Sequence, residues 1–484
     1  MTQQQHNVHT IPLDIGVIHF VGIGGIGMSG IAEILHNLGY QVSGSDQSEN
    51  PNVLRLREKG ISIAIGHVAE NVEGKAVVVK STAVPLTNPE IIAARKQKIP
   101  VVKRSEMLAE LARLKATVAV AGTHGKTTTT SMIGTLLEQA GLDPTVINGG
   151  IINAHGTNAF LGQGEWMVVE ADESDGTFIR LPATIGVITN IDPEHLDYWK
   201  EFSQLRAAFK QFIEQLPFYG FAVACVDHPE VQRLIANIQD RRILTYGIEQ
   251  EADVQAKNLQ KEAGGTRFDV VLSPRIAGGA GRMLRGLYLS VPGQHNVLNV
   301  LSAVVIALEM KLGDDVIRQA LEKFSGVKRR FTLTGEVNGI AVIDDYGHHP
   351  AEIAATLATA RDVQASRGGR VFAVMQPHRY SRLERLFEPF CNCFGAADQV
   401  LITPVYAAGE KPVEGLSHET LVEGLQQQGI PASAINDFND LLAVVHKQAQ
   451  PNDMVVCLGA GSITLWAHSL PQALEDLRQS TAVA

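Results

Sequence analysis

The sequence predicts an α/β protein of three successive domains with mainly parallel sheets. Three observations carry this. Short apolar runs alternate with amphipathic helical stretches along nearly the whole chain, the pattern of strands joined by crossover helices. Two of those runs enter glycine-rich turns and leave as helices, "IHFVGIGGIGMSGIAEILHNLG" and "VAVAGTHGKTTTTSMIGTLLEQAG". A chain of 484 residues is too long for one ordinary core, so two or three domains are expected.

In chain order, "GVIHFVG", "QVSGSD", "AVVVKST" and "IPVVKRS" read as strands, with "GMSGIAEILHNLG" and "NPEIIAARKQKIP" as helices between them. A second series opens near Leu114–Thr117 and continues through "WMVVEADESD", "TIGVITNI", "FAVACVDH" and "RILTYGI". "RFDVVLSPRIAGGAGRMLRGLYLSVPG" reads as a β-hairpin, and "HNVLNVLSAVVIALEMKLG" as a helix ending at Gly313. After "FSGVKRRF" a third series follows: "GIAVIDDYGHHP", "RVFAVMQPHRYSR", "DQVLITPVY" and "DMVVCLGAGS". The seams fall near 115 and 328, giving domains 1–115, 116–328 and 329–484.

Composition narrows the function. Apolar residues make up 45% and charged residues 19%, enough to bury substantial cores. The net charge of −10 argues against general nucleic-acid binding, which needs excess Lys and Arg, but leaves room for an anionic small substrate. Four scattered cysteines (Cys225, Cys391, Cys393, Cys457) suit reduced thiols in a cytosol, and the C-x-C pair reads as packing. The start shows no cationic stretch followed by an apolar one, and no run of about 18 apolar residues occurs. A soluble, cytoplasmic protein without a membrane span is expected.

The first cradle, "VGIGGIG", satisfies G-x-G-x-x-G with Gly22, Gly24 and Gly27, and Asp46 follows about 20 residues on. A diphosphate can sit on such a helix N-terminus while Asp46 accepts from a hydroxyl. This is a Rossmann-like signature, and a nicotinamide dinucleotide is its default ligand. A UDP-sugar offers a diphosphate and a ribose too, so both readings stand.

The second cradle is a P-loop variant, with Gly122 in place of a glycine at the Val120 position. Backbone N–H groups hold phosphates, Lys126 neutralises them, and the Thr127 hydroxyl is placed for Mg²⁺. Further oxygen ligands are expected at a neighbouring strand end, where "VVEADESD" offers Glu170, Asp172, Glu173 and Asp175. Glu170 is the first choice. "ITNIDPEHLDYW" adds Asn190, Asp192 and His195.

Together "GTHGKTTTT", "EADESDGTF", "TNIDPEHLD", "GQHNVLNVLSA", "KRRF", "DDYGHHPAEI" and "QPHRYSR" resemble the Mur ligases, in order and over essentially the whole chain. The resemblance implies a Rossmann-like N-terminal domain for a UDP-sugar, a central P-loop ATPase domain and a Rossmann-like C-terminal amino-acid-binding domain. One cradle would then hold the UDP-sugar and the other ATP. The implied reaction is amide formation: UDP-N-acetylmuramate is activated as an acyl phosphate and L-alanine attacks it, with ATP as co-substrate and Mg²⁺ as the metal.

Carried over by motif, Gly122, Thr123, His124, Gly125, Lys126, Thr127 and Thr128 would bind ATP phosphates. Thr127, Glu170 and His195 would meet metal. Asn296 and Asn299, three apart on one helix face, would hold adenine, and Arg330 would reach the nucleotide phosphates. Asp345 would approach the ribose or the alanine. Tyr346, His348, His378, Arg379 and Arg382 would bind the amino acid, an Arg gripping its carboxylate. Gly24, Gly25, Ile26, Gly27, Asp46, His67, Ser81, Thr82 and Arg104 would line the UDP-sugar site, with Asn153 and Thr157 near the muramoyl group. Lys126, His195, Arg330 and Asp345 are the expected catalytic residues.

One departure stands out. Several family members carry a carbamylated lysine in a context like "RAAK", whereas this chain has Phe209 there and Lys210 one residue on. One residue rotates a helical side chain by about 100°, so no carbamylated lysine is expected. The nearest rival is the recycling branch that attaches a whole peptide to the same sugar; "DDYGHHP" and "QPHRYSR" favour free L-alanine. An NAD-dependent oxidoreductase and a regulatory P-loop ATPase are the other readings. The sequence leaves monomer or homodimer open.

Overall fold

The computed structural model describes residues 15–81, 83–174, 176–262 and 264–483. Three sheets follow the three series. The first contains β1 (Ile18–Val21), β2 (Val42–Asp46), β3 (Ser62–Ile65), β4 (Val77–Lys80) and β5 (Val101–Lys103), in the order β3-β2-β1-β4-β5. All four pairings are parallel. The order reverses between β1 and β4, and the first cradle sits just past β1 at that switch point, where open α/β sheets collect ligands.

The second sheet has ten strands: β6 (Ala116–Ala121), β7 (Thr145–Ile152), β8 (Thr157–Phe160), β9 (Trp166–Glu170), β10 (Ile185–Ile188), β11 (Phe221–Cys225), β12 (Ile243–Gly247), β13 (Val254–Glu262), β14 (Gly265–Leu272) and β15 (Arg282–Leu289). Its order is β15-β14-β13-β12-β11-β10-β6-β9-β7-β8. β6 lies between β9 and β10 and is parallel to both. Fully buried runs such as "VAVA" in β6 and "FAVAC" in β11 suit strands covered on both faces. β7 and β8 form an antiparallel edge pair. β14 and β15 are neighbours, as a hairpin requires, with the short helix Pro274–Ala277 between them.

The third sheet contains β16 (Thr332–Val337), β17 (Ile340–Asp345), β18 (Val371–Met375), β19 (Gln399–Ile402), β20 (Ala432–Ala434) and β21 (Met454–Leu458). The order is β16-β17-β21-β18-β19-β20, parallel except for the β16–β17 hairpin.

One helix end needs correction. The helix expected to run to Gly313 is Gln294–Glu309. Lys311 takes φ 58, its N–H donates to Leu308 O at 3.0 Å, and the Leu312 N–H donates to Ala307 O at 2.9 Å. A left-handed lysine thus closes the helix in the place glycine usually takes, and Gly313 caps the next helix, Asp314–Lys323.

By packing, the chain forms two compact units. One runs to Leu259 and includes Arg267–Ser290 and Val297–Gly326. The other takes Gln260–Thr266, Val291–Asn296 and the chain from Val327 onward. The first unit carries the first sheet and nearly all of the second. One hydrophobic cluster runs through both, from Ile18, Phe20 and Ile31 to Ala119, Val169, Phe209 and Phe212. The helix Ile26–Asn37 approaches β8 so closely that a Cβ on Gly30 would lie 2.6 Å from Ala159 Cβ.

Candidate active site

In the first unit, β6 delivers the chain into Gly122–Gly125, and the helix Lys126–Gln139 leaves it. Gly122 (φ 135) and Gly125 (φ 80) take backbone angles that only glycine adopts freely. The Lys126 ammonium donates to Gly122 O at 2.7 Å, Thr123 O at 3.0 Å and Glu173 Oε2 at 2.7 Å. Burial opposes its charge, but Glu173, Asp172 and Glu170 outweigh that and hold the lysine well above its ordinary range. Burial pushes Glu173 up, with Lys126 pulling back and Asp172 adding.

The loop after β10 shapes the P-loop. Thr189 Oγ1 and Asn190 Nδ2 both donate to His124 O, at 2.7 and 3.0 Å, while Asn190 Oδ1 accepts the His124 N–H at 2.7 Å. The Asp192 N–H donates to Thr123 Oγ1 at 2.8 Å. The Asp192 carboxylate lies 3.3 Å from His124 Nε2 and 3.4 Å from His228 Nε2. Burial would raise it, yet hydrogen bonds from the two imidazoles hold it well below the usual carboxylate range. Asn299 places its Oδ1 2.7 Å from where a Gly125 Cβ would be, so it stands directly beside the P-loop.

Glu173, Glu194 and His195 bring one ligand atom each within 4.8 Å of one another. Glu173 is fully buried; its Oε1 accepts no hydrogen bond and lies 3.7 Å from His195 Nε2. A buried carboxylate oxygen aimed at a second carboxylate and an imidazole suits a divalent cation. Sequence reasoning favoured Glu170 here. Glu170 ends β9 beside Val120, and its Oε2 accepts the Gly149 N–H at 2.8 Å; among the described residues, the acids grouped with His195 are Glu173 and Glu194. His195 itself is left-handed (φ 55) and opens the short helix Leu196–Trp199. Thr127 and Thr128 lie buried in the first turn after the loop. At the sequence departure, Phe209 is buried against Phe178, ring centroids 5.2 Å apart, and Lys210 pairs with Glu214 one turn on.

At the first cradle, Gly22 is left-handed (φ 80), and a Cβ on Gly24 would strike Asn50 Nδ2 at 2.4 Å. Gly25 caps the helix and Ile26 opens it, half-exposed. Asp46 Oδ2 accepts the Gly24 N–H at 2.8 Å, so the acid fixes the glycine turn itself. Ser81 stands 3.5 Å from where a Gly22 Cβ would be. Thr82 lies outside the described residues. Arg104 flanks Gly27, 3.1 Å from a notional Cβ there, and its Nη2 is 3.5 Å from Asp172 Oδ2. His67 Nδ1 lies 3.1 Å from Ser45 Oγ and 3.4 Å from buried Glu90, which Ser45 also donates to at 2.6 Å. Asn153 donates to Ser325 O at 2.8 Å, and Thr157 Oγ1 accepts from Arg55 at 3.1 Å.

The second unit gathers another set. Asp345 is buried at the end of β17. Its Oδ2 accepts the Phe331 N–H at 2.7 Å; its Oδ1 accepts Gly347 N–H at 2.7 Å and Thr356 Oγ1 at 3.2 Å. Its carboxylate thus organises the turn carrying its neighbours. Burial raises its pKa, with Arg330 opposing. Arg329 and Arg330 both lie over the Tyr346 ring, at 4.8 and 5.3 Å. His348 meets Tyr346 and His378 edge-on, and His378 stacks on Tyr406 at 5.5 Å. Burial, then His348, Arg382 and Arg379, bring His378 down to about 4, so it is neutral near pH 7. Its Nδ1 then accepts from Arg382 Nη1 at 3.2 Å. Arg379 is left-handed (φ 72), a strained angle of the kind that gathers at functional sites. Asn296 spends its amide on Pro292 O at 2.7 Å. His295, which sequence reasoning passed over, is brought down to about 4 by burial and Arg330.

Comparison with known proteins covers the whole span of both sets. The chain matches the Mur ligase family catalytic domain over residues 17–116, the Mur ligase middle domain over 120–307 and the Mur ligase glutamate ligase domain over 329–461. A Rhodospirillum rubrum protein named UDP-N-acetylmuramate–L-alanine ligase is 58% identical over 481 residues, 99% of each chain. One of the same name from Rhodospirillum centenum is 60% identical over 97% of each. The crystal structure of a UDP-N-acetylmuramate-alanine ligase from Thermotoga maritima superposes with a TM-score of 0.79 at 29% identity, covering 96% of this chain and 99% of that one. A murein peptide ligase from Psychrobacter arcticus shares the fold, with a TM-score of 0.68 at 24% identity over 95% and 98%. With all three family domains in sequence and relatives alike from end to end, the chain belongs to the Mur ligase family.

Proposed function

We propose that this chain is an ATP-dependent ligase joining L-alanine to the lactyl carboxylate of UDP-N-acetylmuramate, releasing ADP and phosphate, in peptidoglycan precursor synthesis. The observation that carries this is the presence of two phosphate cradles in one packed unit, in a chain 58% identical over its length to a ligase of that name.

The lactyl carboxylate attacks the γ-phosphorus of ATP, ADP leaves, and an acyl phosphate forms. The alanine amine then attacks the acyl carbon, and the tetrahedral intermediate loses phosphate and a proton to give the amide. An anion approaching a polyanion needs charge screening. Lys126 supplies it by exchanging a loop carbonyl or Glu173 for a phosphate oxygen, and the Gly122–Thr128 N–H groups cradle the rest. Thr127, Glu170, Glu173, Glu194 and His195 are the residues that would hold Mg²⁺, which when bound would neutralise phosphate charge. Asn299, with Asn296, takes the adenine side, and Arg330 the phosphates.

Gly24–Gly27, Asp46, His67, Ser81 and Arg104 take the UDP-sugar. Arg379 and Arg382, with Tyr346, His348 and neutral His378, take the alanine. We assign these roles to domains 1–115, 116–328 and 329–484, in a cytoplasmic monomer or homodimer; among the described residues no helix is long and apolar enough to cross a membrane.

The test is phosphate release from ATP with UDP-N-acetylmuramate present, scanning single amino acids. Release requiring both the sugar and L-alanine is expected. Release with the sugar and a tripeptide but not alanine moves the chain to the recycling branch, and release indifferent to both leaves only an ATPase.

A further inference from the structure

Two side chains that none of the assigned roles uses connect the two cradles. Asn158 on β8 and Asn148 on β7 are each 2% exposed. Asn158 Nδ2 donates to Ile26 O at 2.7 Å, in the first turn of the helix that opens the first cradle, and lies 3.4 Å from Asn148 O. Asn148 Nδ2 donates to Thr127 O at 3.2 Å and to Ser131 Oγ at 2.7 Å, in the first turns of the P-loop helix. Asn148 Oδ1 accepts the Gly149 N–H at 3.0 Å, and that N–H also reaches Glu170 Oε2 at 2.8 Å. A continuous polar chain thus runs from Ile26 through the buried amides of Asn158 and Asn148 to Thr127.

We infer that Asn148 and Asn158 are positioning residues that fix the separation and register of the two phosphate cradles. This rests on the reading of the first cradle as the UDP-sugar site. The physical argument is one of geometry. Apolar packing between a helix and an edge hairpin tolerates small slides, because dispersion contacts are non-directional. A buried amide does not, because sliding leaves donors and carbonyls unpaired in a low-dielectric layer. The absent Cβ of Gly30 against Ala159 sets how near the helix comes to β8, and the asparagines set where along β8 it stops. The carboxylate held by one cradle must meet the γ-phosphorus held by the other within near-contact distance, and a misplacement of about 1 Å can cost about 10²-fold in rate. Neither asparagine needs to touch a substrate for this.

The test is a double-mutant cycle on the full chain: Asn148→Ala, Asn158→Ala and both together, with kcat and both nucleotide KM values measured in the ligation assay. Each single variant is expected to lower kcat at least about tenfold while KM for ATP and UDP-N-acetylmuramate stays within about threefold. The double variant is expected to be no slower than the worse single one, since either break opens the same chain. Multiplying effects, or an unchanged kcat, overturn the proposal. A raised KM for the sugar with kcat intact also overturns it, making Asn158 part of the sugar site. If an alanine variant does not fold, the same cycle with serine at both positions is read in the same way. A wild-type chain that fails to ligate sinks the functional reading and the positioning role together, whereas an active wild type with multiplying variants sinks the positioning role alone.

Discussion

Replacing Gly122 by alanine tests whether the loop after β10 dictates the shape of the P-loop. Gly122 sits at φ 135, and an added Cβ would lie 2.0 Å from Thr189 Oγ1 and 3.1 Å from Asn190 O. The backbone angle costs about 1–3 kcal/mol for an L-residue, and the overlap about another 1–3 kcal/mol. Thr189 can escape by rotating, but its hydroxyl is the donor to His124 O at 2.7 Å. Relief of the clash therefore breaks the bond that shapes the loop. If only about 2 kcal/mol appears at the cradle, ADP affinity falls about thirtyfold. Isothermal titration with ADP reads that loss, and titration with UDP should show none, since the first cradle lies on another sheet. Removing the obstructing hydroxyl in Gly122→Ala/Thr189→Ala should restore about fivefold of the ADP affinity, leaving the backbone strain in place. ADP binding by Gly122→Ala within twofold of wild type, or no recovery in the double variant, would refute the reasoning.

Three further outcomes are expected. Lys126→Ala should abolish ligation while UDP-N-acetylmuramate affinity stays within about twofold, by calorimetry, since the two glycine turns follow strands of different sheets; equal loss of sugar binding would undo the separation of the two sites. His295 falls from 6.5 to about 4 in the fold, so the unfolded chain takes the proton first as pH drops. Its contribution is complete above about pH 6.5 and shrinks toward pH 4, with about 2 kcal/mol gone at pH 5. Urea unfolding at pH 7.5 and 5.0 should show wild type losing that much more than His295→Phe, and parallel losses would contradict it. Lys210→Ala should keep kcat within about twofold, and the wild-type protein should carry no carbamate at Lys210, because among the described residues that ammonium pairs with Glu214 on an exposed helix face; a carbamate on Lys210 in the wild type, seen by crystallography, would count against this.

Legibility followed locality. Both cradles read directly from sequence, because glycine spacing, the strand before and the helix after all lie within about two dozen residues. The apolar strands read equally well. β7 and β8 were passed over: "TVINGGII" carries two glycines mid-run and "TNAF" is four residues long, so neither shows a clear period. The acidic run after β9 shows where inference stops. Strand alternation assigns a face to Glu170, the last residue of the strand, but says nothing of Glu173, three residues into a turn. Only the tertiary fold turns Glu173 inward to Lys126 and His195. Asp46 and Asp345 make the complementary point. Each was correctly placed at a strand end, yet each spends oxygens on nearby backbone N–H groups. That an acid also braces its own loop is not legible in sequence, because the donors it meets are main-chain atoms with no letter of their own.

The hydrophobic cluster shared by the first two sheets bears on how such a chain can be recombined. The family boundaries near residue 116 mark segments that evolution recognises as words. The side chains recognise no break there, because Ile31 and Leu35 belong to the same apolar body as Val169 and Phe209. Exchanging the first segment for that of a relative means exchanging a face as well, Gly30 opposite Ala159 and Ile26 opposite Asn158 included. A chimera spliced at the boundary alone would join two halves that no longer fit. The third sheet lies in another compact unit with its own apolar clusters, but that unit also takes in Gln260–Thr266 and Val291–Asn296, so an exchange beginning at Val327 would have to carry those two stretches with it.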